Sequence, residues 1–469
     1  MITEQSILDK ISNGDKDIIQ FLKQKAFYPP SWEKLRKEYD PNMHPVLTDP
    51  DYRDEDNGDG TFDHKTRITY ALQMLAVKRM TELTFGIPVN RVYRPQNARQ
   101  KEIQQYIERI YAQNRIDAVN IERSTYLFAS CEVMTLWYAV PQKHSKYGFA
   151  SEIRLRCRNF APMNGDKIYP LFDEYGDLIA LSIEYARKII SNDYQTYFDM
   201  YTATKHIKWT NNGEGGEMKI IEDEDISSIG KIPAIYIMRK TPIWEDTSRL
   251  VYEMEWAISR NGNYLRKNSK PVFVVSVSDP MEFEKEKSEN HEFRTILQIP
   301  QGSSANYVTW DGAIQNLQFN INELREMFFT QLQLPDWSYE KMKTTPMSGE
   351  ARKQLFIDCQ MKVRDESGRL LEALDREINV IKAYLKLMLP SDAEDIDNLE
   401  VENVITPFTI NDDKELISNI MTATGGKAIM SQREGIEMFG KSNDPDKTIE
   451  EIQASDMAAQ MANLFEPTE

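Results

Sequence analysis

A chain of 469 residues with 41 % apolar content is long enough for two or three domain-sized units around a buried core. Its 57 Lys and Arg stand against 74 Asp and Glu, and the net charge of −17 argues against a tight grip on nucleic acid built on phosphate neutralisation. Three separated cysteines, Cys131, Cys157 and Cys359, make no C-x-x-C pair and follow no signal peptide, so they read as reduced core residues in a cytoplasmic setting; no apolar run approaches the ~20 residues that cross a bilayer.

Residues Met1 to Gly60 predict one helix near Asp15 to Ala26, then a polar loop ending in the acidic run Asp54 to Gly60. A helical pattern follows from Thr66 to Thr84, stopped by Gly86 and Pro88, with further helices at Gln100 to Asn114 and Ile116 to Ser130. Val133 to Val140, Glu152 to Cys157, Leu178 to Ala186, Gln195 to Thr204, His206 to Thr210 and Glu217 to Glu222 predict strands, and Asn211 to Gly216 a hairpin turn. The first half is thus mixed α+β, and Lys231 to Pro233 leads out of it.

Trp244 to Lys267 predicts an amphipathic helix with Leu250, Val251, Met254, Ala257, Ile258 and Leu265 on one stripe. Ala313 to Gln333 predicts a second, with Ile314, Leu317, Ile321, Leu324 and Phe328 stepping by three and four until Pro335 ends it. Between them Pro271 to Val277, Thr295 to Ile299 and Tyr307 to Trp310 predict strands, and Pro280 to Asn290 a short acidic helix: a small αβ insert on a helical stalk. A polar, aromatic loop after Pro335 leads to Pro346-Met-Ser-Gly-Glu350, which opens a helix of roughly forty residues, about 60 Å long, that ends at Pro390. Beyond it, Asp413 to Thr424, Ser431 to Phe439 and Thr448 to Asn463 predict a small helical group.

In this order of elements the chain resembles the tailed-phage portal proteins, or head-to-tail connectors, of long non-contractile-tailed phages. The resemblance rests on the paired helices with their insert, the loop at Leu334 to Met347, the long helix opening at Ser348-Gly349-Glu-Ala351, the helix end Phe85-Gly-Ile-Pro-Val89, and Ile429 to Gly435 with the acidic Asp444 to Glu451. It implies an α+β, portal-type ring subunit: wing at 1–243, stem helices at 244–268 and 313–333 around a clip at 269–312, tunnel loop at 334–347, a long wing or spine helix at 348–389, and a crown at 390–469. It further implies a homo-oligomeric ring, a dodecamer, at one capsid vertex of the virion, assembled in the host cytoplasm. Double-stranded DNA would pass through it in packaging and ejection, with terminase, capsid or scaffolding protein and a head-completion adaptor as partners. Trp337, Tyr339, Lys341, Met342 and Lys343 would be the tunnel-loop residues that meet DNA. Arg260, Arg266, Lys267 and Lys270 balance the dipole of the first stem helix and are candidates to face the channel. Val272, Val274, Phe293, Ile299 and Trp310 of the clip would join subunits or dock terminase, because an insert this small leaves its strand edges open.

Two motifs compete with a structural reading. Gly435-Ile-Glu-Met-Phe-Gly440-Lys441-Ser442 satisfies G-x-x-x-x-G-K-[ST]. Yet a phosphate loop follows a buried strand, whereas a helix precedes these residues and Pro445 soon follows, so Gly440 reads as a helix C-cap. Glu55-x-Asn57-x-Asp59-Gly60-x-Phe62 approaches a calcium loop but has Thr66 where a bidentate Glu is required, so it reads as a solvated acidic loop. The five histidines, His44, His64, His144, His206 and His291, have no metal-ligand spacing, and Asp223, Glu224 and Asp225 read as a solvated face. No metal, cofactor or catalytic residue is expected. The rival functions are a nucleotide-dependent enzyme using Gly435 to Ser442 and another capsid-associated minor head protein.

Overall fold

The computed structural model describes residues 2–25, 27–56, 60, 62–188, 194–211, 217–268, 273–277, 296–300, 313–336, 356–407, 413–425, 429–440 and 445–465. They fall into two compact units, residues 1–336 with 358–408, and residues 337–357 with 409–469. The architecture is mixed α+β, as the pattern of the sequence predicts.

The N-terminal stretch holds four short helices, α1 (Glu4–Ser12), α2 (Ile18–Leu22), α3 (Trp32–Tyr39) and α4 (Pro45–Thr48), where the sequence reading expects one helix and a loop. Helices this short carry little periodic signal and owe their stability to packing. α1 opens with a capping box between Thr3 and Ser6. A minimal antiparallel ladder of β1 (Glu55–Asp56) and β2 (Phe62–Asp63) follows, so Glu55 and Asp56 of the expected loop are strand residues. α5 (Leu72–Phe85) begins six residues later than the pattern from Thr66 suggests, because the intervening backbone is extended and bonded elsewhere.

β3 (Asn90–Arg94), α6 (Ala98–Asn114) and α7 (Ile116–Ser130) come next, α6 capped by Asn97 and separated from α7 by Arg115 alone, in the left-handed region at φ 50°. The strands are β4 (Glu132–His144), β5 (Ser151–Phe160), β6 (Lys167–Phe172), β7 (Leu178–Lys188), β8 (Tyr194–Tyr201), β9 (Lys205–Thr210), β10 (Lys219–Asp225) and β11 (Ala234–Met238). β6 to β10 form an antiparallel meander, while β11, β4 and β5 form a second antiparallel sheet. Side chains alternate across the meander. Ile183, Tyr185 and Tyr201 meet Met134, Leu136 and Tyr236 of the second sheet, and Phe198, Met200 and Trp209 on the other face cover Ile7, Ile18 and Leu22 of α1 and α2. β6 and β11 escape the sequence reading; β11 is buried almost throughout and shows no alternation.

α8 (Ser248–Asn268) and α9 (Ala313–Gln331) flank β12 (Phe273–Val277) and β13 (Ile296–Pro300), which pair in parallel. The expected strand at Tyr307 to Trp310 and helix at Pro280 to Asn290 lie outside the described residues. α10 (Ile357–Met388) runs 32 residues, about 48 Å, and buries Leu370, Leu374, Ile378, Ile381 and Leu385; the expected opening at Ser348 lies outside the described residues. α11 (Ala393–Asn398) and β14 (Glu400–Val404) complete the first unit, β14 pairing antiparallel with β3. In the second unit α12 (Asp413–Thr424), α13 (Gln432–Phe439) and α14 (Pro445–Phe465) appear where the sequence places helices.

Candidate functional site

The expected channel elements are α8, α9 and the loop after Pro335. On α8 the buried stripe differs from expectation. Val251 and Met254 are buried, but Leu265 is 56 % exposed, and the fully buried positions include Glu255 and Ser259. The helix starts at Ser248 because Trp244, whose indole N–H donates to Glu38 Oε2 at 2.9 Å, sits in the turn before it.

The polar positions have a common purpose. The extended backbone of Thr66, Ile68 and Tyr70 donates its N–H groups to Asn263 Oδ1 at 2.5 Å, Ser259 Oγ at 2.9 Å and Glu255 Oε1 at 2.8 Å. Residues four apart on a helix advance about 6 Å, and two residues of extended chain advance about 6.6 Å. The two spacings match, so each alternate amide finds one side chain per turn. Gly262 permits the approach, since a Cβ there would stand 2.7 Å from Thr66 Cγ2. Tyr52 packs edge-on against Trp256 at 4.9 Å and donates its hydroxyl to the Thr66 carbonyl at 3.1 Å. Sequence reasoning missed this arrangement, although polar Glu255, Ser259 and Asn263 at a period of four were a visible signal.

Of the expected stem cations, Arg260 is exposed and lies over the Trp256 ring at 5.5 Å. Arg266 donates to the His64 carbonyl oxygen, which ties it to the chain just after β2. Lys267 lies in the last turn of α8. Lys270, together with Trp337, Tyr339, Lys341, Met342 and Lys343, lies outside the described residues, as do Val272, Phe293 and Trp310. Val274 pairs with Leu297 and Ile299 with Ser276 in the parallel ladder.

The chain is fastened at the start of the expected tunnel loop. Gln333 adopts φ 51°, and Asp336 pairs with Arg325 Nε at 3.2 Å and Arg79 Nη2 at 3.6 Å. Arg79 also donates to the Pro335 carbonyl and lies 4.5 Å over Phe329. Lys362 on α10 donates to the Leu332 carbonyl just past the end of α9; burial, with Arg239 nearby, pushes its pKa down to about 8. Both ends of this turn are thus anchored to α5 and α10 by charged hydrogen bonds.

Parts of the two competing motifs fall within the described residues. Ser431 caps α13 in a capping box with Glu434, and Gly440 ends it at φ 66°. Gly435 is inside the helix, where a Cβ would meet Ile420 Cγ2 at 2.9 Å, so this glycine serves close packing of α12 on α13. Lys441 and Ser442 lie outside the described residues. At the acidic loop Glu55 and Asp56 are strand residues; Asn57 and Asp59 lie outside the described residues. Asp54 accepts from His64 Nδ1 at 2.6 Å and Lys65 N–H at 3.0 Å, which hold its carboxyl well below the usual carboxylate range.

Among the described residues no three His, Cys, Asp or Glu side chains come together as a metal site. His144 stands edge-on to Tyr147 at 4.4 Å and His206 stacks on Tyr201 at 4.4 Å; His291 lies outside the described residues. Burial pushes the thiols of Cys131 and Cys157 up to about 12 and that of Cys359 up to about 11. None is a thiolate at neutral pH. β10 is exposed along its length, with Asp223 paired to Lys205 at 2.9 Å, as expected of a solvated face. No helix among the described residues is long and apolar enough to cross a membrane.

The model of one protein family, "Phage portal protein, SPP1 Gp6-like", matches residues 30–462. No curated protein sequence matches the chain. Among solved structures, one titled "Neck of empty GTA particle computed with C6 symmetry" is similar over 89 % of this chain and 95 % of that one, at 10 % identity and a TM-score of 0.42.

Proposed function

Because this chain belongs to the SPP1 Gp6-like family of phage portal proteins, we propose that it forms the ring at one capsid vertex through which double-stranded DNA is packaged and later ejected. The observation that carries this reading is the continuity of the family match across residues 30–462, which takes in α8, α9, the stretch between them and the long α10. The ring is a dodecamer closed by head-to-tail contacts. Residues 1–243 are its wing, 244–268 and 313–333 its stem helices, 269–312 its clip, 334–347 its tunnel loop, 348–389 its spine helix and 390–469 its crown.

The protein contributes geometry and charge, and performs no chemistry of its own. Terminase docks at the clip to drive DNA inward, and a head-completion adaptor takes the same end afterwards; scaffolding protein guides assembly. A net charge of −17 per copy makes an acidic tube that does not hold DNA tightly. Lys341 and Lys343, with Trp337, Tyr339 and Met342, form a band that touches the backbone weakly as it passes, while Arg260 supplies a further cation on the stem. Val272, Val274, Phe293, Ile299 and Trp310 complete sheets between neighbouring clips.

Negative-stain imaging of the purified full chain tests the reading: closed rings with an open axial hole are expected. A stable monomer at micromolar concentration under all salt conditions overturns it. Within the ring, Lys341→Ala with Lys343→Ala should leave assembly intact and alter packaging rate or DNA retention, most at low ionic strength.

A further inference from the structure

His44 joins the N-terminal segment to α8 where neither partner meets solvent: its side chain and that of Glu255 are both fully buried. Nε2 stands 2.9 Å from the Glu38 carbonyl oxygen and Nδ1 2.7 Å from Glu255 Oε1. A carbonyl oxygen only accepts, so Nε2 carries a hydrogen. A neutral ring with its hydrogen there turns a lone pair from Nδ1 towards the carboxylate, and two lone pairs at that distance repel. The contact therefore contains a second proton. Oε1 also accepts the Tyr70 N–H at 2.8 Å, which favours a carboxylate facing an imidazolium.

The surroundings reinforce that charge state. Glu38 and Asp40 approach from the histidine's own segment, and Tyr252 and Glu255 from α8, the Tyr252 ring edge-on at 5.3 Å. The Glu38 carboxylate is itself held by Trp244 and by the Ser248 hydroxyl at 2.9 Å. Burial alone would lower the basicity of the ring, but the hydrogen bond and charge of Glu255, with the Glu38 carbonyl and the charge of Asp40, together outweigh it and hold the pKa above the ordinary histidine value. Glu255 Oε2 has no hydrogen-bond partner among the described residues, so the shared oxygen Oε1 carries both contacts.

We propose that His44 and Glu255 form a proton-dependent clasp that closes the Thr66–Tyr70 strap onto the first stem helix. While the proton is present, Glu255 is held in the rotamer that receives the Tyr70 amide, and the Ser259 and Asn263 contacts follow along the helix. When the proton leaves, the ring can donate to only one of its two acceptors and no longer carries the charge that holds the buried carboxylate, so Glu255 is released. Tyr70 then loses its acceptor, and the polar face of α8 at Glu255, Ser259 and Asn263 opens. A raised folded-state pKa gives the clasp full strength below the ordinary histidine value of 6.5, and strength is lost as pH rises through the folded value.

Hydrogen exchange on the full assembled chain, read on peptides covering residues 64–71 and corrected for the intrinsic pH dependence of exchange, tests the clasp. In the wild type, protection of the Thr66, Ile68 and Tyr70 amides should fall about tenfold or more between neutral and alkaline pH. In Glu255→Gln, which keeps an oxygen for the Tyr70 amide but removes the charge, the fall should come at lower pH. In His44→Gln the protection should no longer depend on pH. Wild-type protection that stays constant from pH 6 to pH 10, or a Glu255→Gln transition at the wild-type pH, overturns the proposal without needing the His44 variant to fold.

Discussion

Arg123 and Glu377 form a second deeply buried charged pair in the first unit, 1 % and 0 % exposed, and the indole N–H of Trp137 donates to the same Glu377 oxygen at 3.0 Å. Removing one partner strands the other charge in an apolar site. Glu377→Leu should therefore cost about 3–5 kcal/mol in urea titration, and adding Arg123→Met should recover most of it. Lys362 permits a pH test. Its folded pKa of about 8 lies below the ordinary 10.5 because burial disfavours the ammonium, so between those values the unfolded chain binds a proton that the folded chain has shed. Stability in that window should rise with pH by more in the wild type than in Lys362→Met. Equal slopes in paired denaturation series would show that Lys362 keeps its proton when folded.

Among the elements, two helices depend on a glycine for close approach, and each gives a distinct test. A side chain at position 262 would collide with Thr66, so Gly262→Val should weaken the strap by about 1–3 kcal/mol and raise amide exchange at residues 64–71 at every pH, not only at alkaline pH. At position 435 the collision is with Ile420 and Thr424 of α12. Gly435→Leu should destabilise the C-terminal helices by a comparable ~1–3 kcal/mol, read as a lowered unfolding temperature in thermal melts. Titration of the wild type with magnesium and ATP should give no saturable heat, because the first glycine of the apparent phosphate motif is a helix-packing residue and the second a C-cap.

For the whole molecule, charge is the dominant consideration. Copies carrying −17 each, brought together in a ring, repel through a screening length of about 30 Å at 0.01 M salt but about 10 Å at 0.1 M. Mass photometry should accordingly find the ring population falling as ionic strength drops towards 0.01 M and recovering on addition of salt. A ring fraction that is highest at the lowest salt would place attraction between opposite charges, rather than apolar packing, at the subunit contacts.

The amino-acid sequence by itself determined the elements whose signal is local. The period of α8, α9 and α10, the three helices of the C-terminal unit and most strands of the meander follow from side-chain spacing within one segment, and so does the order of elements that marks the family. Tertiary structure alone decided what depends on distant partners. β3 and β14 pair although Arg94 and Glu402 stand 308 positions apart, and His44 meets Glu255 across 211 positions. The start of α5 at Leu72 was decided in the same way: the amides at Thr66, Ile68 and Tyr70 are taken by α8, so a segment with a helical pattern is held extended. A local pattern records the preference of a segment for itself, whereas these choices rest on hydrogen-bond partners supplied by remote chain, which no window of neighbouring residues contains.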